Sequence, residues 1–155
     1  MEEVKKTKGA YLFVSATLHH QGALFQAHVC AAKAAIDALM LVLAKELGPF
    51  GVRVNCLSPG PTADTEGMER LLDKESRESA REAIPLQEFP LPKDMADGTV
   101  FLFSDAARNI TGHNLVVDGG ARLMPNSFIP YPSGALDPKP ILERLTVVGK
   151  KKAKL

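Results

Sequence analysis

Three short apolar runs set among longer helical patterns constrain this chain more than any other feature. Gly9-Ala10-Tyr11-Leu12-Phe13-Val14-Ser15 carries no charge, the pattern of a strand covered on both faces. Val52-Arg53-Val54-Asn55-Cys56-Leu57 reads as a second strand, ending in the turn Ser58-Pro59-Gly60-Pro61. Leu115-Val116-Val117, closed by Asp118-Gly119-Gly120, reads as a third. Between the first two, Ala32, Ile36, Leu39, Leu43 and Leu47 recur at helical spacing over 27–47, and Gly48-Pro49 supplies a stop. A polar helical region over 65–84 follows, punctuated by Pro85, Pro90 and Pro92, and then a helix over 93–104. Strands separated by helices predict right-handed crossovers and a parallel α/β sheet.

The 27–47 helix is apolar on its opposite side as well, through Ala31, Ala34, Ala35, Ala38, Leu41 and Val42. Such a helix is expected to be covered by the sheet and by something else, such as a second subunit. Charge at Leu39 or Leu43 is expected to damage the core. Three strands are few for this architecture, in which sheets commonly hold about four to six. Beyond residue 120 the character changes: Pro125, Pro130, Pro132, Pro138 and Pro140 all lie there. Residues 121–155 therefore read as an extended tail after a domain over 1–120.

Composition narrows the function classes. The chain has 155 residues, 45% hydrophobic and 24% charged, enough for one buried core. A formal charge of +1 leaves no overall footprint for nucleic acid, and the clearest basic cluster is Lys150, Lys151, Lys152 and Lys154. The 2 cysteines lack C-x-x-C spacing, so a reducing compartment is expected, with both as small core residues. The charged start Met1-Glu2-Glu3-Val4-Lys5-Lys6 does not read as a secretory leader. No membrane span is expected: the nearest apolar stretch, 34–44, is interrupted by Asp37 and falls short of roughly 18 residues.

Two features carry chemistry. Ser58-Pro59-Gly60-Pro61-Thr62 falls at the carboxyl end of a strand, where open parallel sheets bind ligands. Gly60 allows close backbone approach to a flat ring and the prolines stiffen the loop; the alternative is an ordinary strand-ending turn. Lys33 is the only cation in the first turns of an apolar helix, able to donate to ribose hydroxyls beside a reacting centre. Its alternative is a weak i,i+4 pair with Asp37. The histidines and cysteines show no zinc-type ligand spacing, so no metal is expected, and no G-x-S-x-G elbow marks a hydrolase. A G-x-G-x-x-G turn is absent from the sequence.

Taken together, Val14-Ser15-Ala16-Thr17, His28-Val29-Cys30-Ala31-Ala32-Lys33, Arg53-Val54-Asn55, Pro59-Gly60, Thr111-Gly112 and Val117-Asp118-Gly119-Gly120 resemble the C-terminal half of a short-chain dehydrogenase/reductase. The resemblance implies half of a doubly wound, Rossmann-like sheet whose N-terminal βαβ half is missing. The family's catalytic tyrosine would stand at Val29 and its serine at Ala16. Tyrosine-less H-x-x-x-x-K with P-G-P-x-x-x-T-E-G, here His28 to Lys33 and Pro59 to Gly67, looks like the peroxisomal 2,4-dienoyl-CoA reductases.

That likeness implies an enzyme: NADPH-dependent reduction of a 2,4-dienoyl-CoA to a 3-enoyl-CoA in β-oxidation, with a developing oxyanion to stabilise. It implies Lys33 as the catalytic and ribose-binding residue, and Pro59, Gly60, Pro61, Thr62, Ala63, Asp64 and Thr65 as the cofactor-binding loop. Arg70 would anchor the acyl-CoA substrate, with a solvated helix face as its alternative. Ala153-Lys154-Leu155 is similar to a peroxisomal address read by the import receptor, placing the protein in the peroxisomal matrix. A homo-oligomer is expected at full length, and little activity from this chain alone. Another enoyl-CoA reductase of the superfamily and a non-catalytic association module are the alternatives.

Overall fold

β-Branched and aromatic residues without charge favour extended backbone, and Ala10–Val14 forms β1 at the site expected. In the computed structural model, residues 1–71 and 74–124 are described, with 136, 137, 139, 140 and 143 beyond them; the side chains of residues 70, 71, 74 and 75 are not. The element order is α1 (Glu2–Thr7), β1, α2 (Ala27–Leu47), β2 (Arg53–Pro59), α3 (Glu66–Leu71), α4 (Lys74–Glu82), α5 (Pro92–Phe103) and β3 (Asn114–Val117). The strands form a parallel sheet in the order β1-β2-β3. Val14 lies opposite Leu57, and Pro59 opposite Val117.

β2 is central and its side chains alternate between two covered faces. Val54 and Cys56 join Met40, Ala44, Leu47 and Val52 in the core beneath α2, with Tyr11 and Phe13 of β1 against it. On the other face α5 packs so closely that a Cβ on Gly98 would stand 2.8 Å from Leu57 Cδ1, with Leu115 and Val117 next. The doubly covered parallel sheet is thus as the apolar runs predict.

Several elements differ from the sequence reading. The inward stripe of α2 is Met40, Ala44 and Leu47, with Ile36 and Leu43 partly buried, whereas Leu39 is 47% exposed. A helix apolar all round does not reveal which side meets the sheet. By length and mean hydropathy (1.7), 27–50 is long and apolar enough to cross a membrane. Counting uninterrupted apolar residues stops at Asp37, whereas an average over the helix tolerates it. Its stripe on β2 makes it a core helix of this sheet. The polar region over 65–84 is two helices, α3 and α4, with residues 72 and 73 between them outside the described set. α1 was not anticipated; Lys5–Glu2 and Lys6–Glu3 pairs run along it, and Val4 reaches the core. Finally, Ala121–Leu123 forms a helical turn rather than tail, while the lysine cluster and Ala153-Lys154-Leu155 lie outside the described residues.

Candidate functional site

Parallel strands end together, so β1 and β2 deliver their following loops to one edge of the sheet. Ser15 N–H donates to Leu57 O (2.8 Å) and Thr17 N–H to Pro59 O (3.0 Å), carrying the pairing beyond β1. Thr17 Oγ1 also donates to Pro59 O (3.3 Å). The Gly60 N–H then crosses to Val117 O (3.0 Å). A Cβ on Gly60 would meet Asp118 Cβ at 2.6 Å, so the demand for glycine there arises from packing on the end of β3. Asp118, 5% exposed, accepts from Gly120 N–H (2.8 Å) and Arg122 N–H (3.0 Å).

The loop after Gly60 is braced internally. Thr62 Oγ1 donates to Gly60 O (3.0 Å) and Thr65 Oγ1 to Thr62 O (2.7 Å). Thr65 Oγ1 also accepts from Met68 N–H (3.2 Å), satisfying a free donor at the start of α3. Each hydroxyl keeps acceptor capacity.

These segments wall a cavity of about 630 Å³ at the carboxyl edge. Pro59, Gly60, Pro61, Thr62 and Thr65 line it; Lys33, Ala63 and Asp64, named with them in the sequence reading, do not. The side chain of Arg70 lies outside the described residues. Lys33 Nζ donates to Val14 O (2.8 Å), so its amine stands at the end of β1, one strand over from the Pro59-Gly60 bend. It forms no pair with Asp37, whose carboxylate meets His19 Nε2 at 2.7 Å instead. Thr17, Gln21 and Gln26 from the loop after β1, Met95 of α5 and Arg122 also line the cavity. None of these was singled out, because nothing in the sequence shows that the two loops face each other.

Electrostatically the region turns on Asp37. Burial pushes its carboxyl upward, but the nearby Ser15 hydroxyl, the hydrogen bond and attraction of His19 and the nearby Cys56 thiol outweigh this and hold it below the ordinary carboxylate value. The Cys56 thiol is pushed up to about 12 by burial and by Asp37, with Lys33 opposing. Cys56 is therefore an inert core residue; Cys30 is half-buried, with its thiol 3.7 Å from Leu18 O.

A parallel sheet with helices on both faces, a cavity at its carboxyl edge and a lysine at the end of β1 define half of a doubly wound α/β enzyme fold. The chain belongs to the short-chain dehydrogenase/reductase family: the family described as enoyl-(acyl carrier protein) reductase matches residues 1–122. It is 54% identical over 120 residues to the peroxisomal 2,4-dienoyl-CoA reductase of Saccharomyces cerevisiae, covering 77% of this chain and 41% of that protein. It is 38% identical over 123 residues to the peroxisomal 2,4-dienoyl-CoA reductase of Arabidopsis thaliana, covering 79% of this chain and 41% of that one. Among solved structures, a 7α-hydroxysteroid dehydrogenase complexed with NADH superposes with a TM-score of 0.72 at 27% identity, covering 77% of this chain and 47% of that one. The chain thus spans about two fifths of the length of the curated relatives it matches.

Proposed function

We propose that this chain carries the nicotinamide-side half of a 2,4-dienoyl-CoA reductase. The observation that carries the reading is the Lys33 amine held on Val14 O at the end of β1, on the strand next to the one that ends in the Pro59-Gly60 bend, while Val29 holds the place of the usual tyrosine. A carbonyl reductase of this family relies on that phenol to move a proton. Without it, the positive charge of Lys33 suits a reaction in which charge builds on a thioester oxygen and a carbon is protonated.

The residues present fit the nicotinamide and ribose end of NADPH. The Lys33 amine uses one of its three N–H groups on Val14 O and keeps the others for ribose hydroxyls. Thr62 and Thr65 offer acceptors from a loop braced against movement. Ala16, Leu18 and Met95 add aliphatic wall to the cavity. NADPH supplies the hydride when bound. We assign the acyl-CoA anchoring to Arg70 and the location to the peroxisomal matrix, which Ala153-Lys154-Leu155 and the names of the relatives support. The domain over 1–120 is the catalytic part, and the remainder serves as an address-bearing tail.

The test joins this chain to the N-terminal portion of the Saccharomyces cerevisiae relative and follows NADPH absorbance with 2,4-dienoyl-CoA and 2-enoyl-CoA side by side. The joined protein is expected to consume the dienoyl substrate, and Lys33→Ala to slow it by about 100-fold or more. Unchanged turnover in Lys33→Ala overturns the assignment, and preference for 2-enoyl-CoA favours the other reductase.

A further inference from the structure

The reduction leaves unused a polar knot between the loop after β1, α2 and β3. His19 Nε2 lies 2.7 Å and His20 Nε2 3.8 Å from the same oxygen, Asp37 Oδ2. The two rings meet edge to face, 4.4 Å apart, so two imidazoles converge on one carboxylate from adjacent positions in the chain. All three donor atoms lie within 4.8 Å of one another. Asn114 Nδ2 donates to Asp37 Oδ2 (3.0 Å) and orients the carboxylate from β3.

This knot is under-satisfied. Among the described residues, four buried side-chain polar atoms lack a hydrogen-bond partner: His19 Nδ1, Asp37 Oδ1, Asn114 Oδ1 and Ser58 Oγ. Three of them belong to this one cluster, and the His19 side chain is 9% exposed. Unpaired polar atoms in the interior cost free energy, and an ion held by both oxygens of Asp37 would give Oδ1 the partner it lacks. Two imidazole nitrogens and a carboxylate are a donor set for a first-row divalent ion of the zinc class, which takes its ligands at about 2.0–2.2 Å. Ligands at that radius stand up to roughly 4 Å apart, so the observed separations need only small rotations.

We propose that His19, His20 and Asp37 bind a divalent transition-metal ion, leaving an outward position for water, with Asn114 as the positioning residue. Binding uses the lone pair of His19 Nε2 and leaves its proton on Nδ1, which is free to carry it. The ion ties the turn at 18–20 to α2. Because Thr17, Leu18 and Gln21 line the 630 Å³ cavity, it also fixes one wall of that cavity.

The purified full chain is titrated with Zn2+ by calorimetry and with Co2+ by visible absorption. One ion per chain is expected, with the intense bands of a low-coordinate Co2+ site. His20→Ala removes an exposed ligand without disturbing the core, and is expected to weaken binding by more than about tenfold; Asp37→Asn is expected to do the same, and His113→Ala to change nothing. Absence of stoichiometric uptake overturns the proposal and leaves water as the occupant. Binding that survives both His20→Ala and Asp37→Asn overturns it equally.

Discussion

Asn55 is polar, sits at the middle of the central strand and is 1% exposed. Its amide satisfies two backbone groups of the loop that leads into β3: Nδ2 donates to Ile110 O (2.9 Å) and Oδ1 accepts from His113 N–H (3.0 Å). Beside it, Thr111 Oγ1 accepts from Val54 N–H (3.0 Å), and Gly112 N–H donates to Val54 O (2.7 Å). The motifs Arg53-Val54-Asn55 and Thr111-Gly112, far apart in the chain, are thus two sides of one stitch. Replacing Asn55 by Leu, of similar volume, strands a buried donor and a buried acceptor at about 1–3 kcal/mol each. The expected loss is about 2–4 kcal/mol, read from the shift in urea midpoint. A loss under about 0.5 kcal/mol would mean that those groups find other partners. The sequence identifies these residues as a motif but not as a stitch, because pairing across the loop exists only once β2 and β3 are adjacent.

Among the elements, α2 shows best what periodicity can and cannot reveal. Its limits are legible, since helix formers run unbroken until Gly48-Pro49, and the structure places it over Ala27–Leu47 as read. Its orientation is not, since apolar residues cover every side. With Met40, Ala44 and Leu47 inward, Leu39, Leu41 and Val42 remain 47%, 51% and 51% exposed. That alters the value of a mutation: charge at Leu39 no longer strikes the core, and it becomes a probe of what covers the outer face. If a second subunit lies there, Leu39→Glu with Val42→Glu shifts the protein to monomer in sedimentation, with helical circular dichroism retained and intrinsic stability changed by no more than about 1 kcal/mol. Met40→Ala, by contrast, is expected to cost about 2–5 kcal/mol through a cavity under the sheet. Equal loss of stability in both variants would show that the outer face is not an interface. The same helix explains why the His19-His20-Asp37 cluster is invisible in sequence. Asp37 follows His19 by 18 positions and His20 by 17, and only the return of α2 over the sheet brings it to the turn.

For the molecule as a whole, the sheet order β1-β2-β3 leaves β1 at an edge among the described residues. The class and the parallel sheet could be read from three apolar runs, because strands of this kind must be covered on both faces whatever else the chain does. The state of the β1 edge could not be read that way, because burial of side chains does not report which backbone groups are paired. On its inner side β1 is bonded through contacts such as Arg53 N–H to Gly9 O (3.1 Å), while Val14 at its end is 56% exposed. A parallel strand unpaired on one side donates only alternate amides to its neighbour. Hydrogen exchange on the chain alone should therefore show continuous protection across β2 and an alternating pattern along β1. Supplying the N-terminal portion of the Saccharomyces cerevisiae relative should protect the remaining β1 amides, as a neighbouring strand takes up the free edge. Full protection of β1 in the chain alone would mean that the edge is already covered, by another copy or by a further segment of this chain. The reading of this chain as half of a reductase would then lose its structural basis.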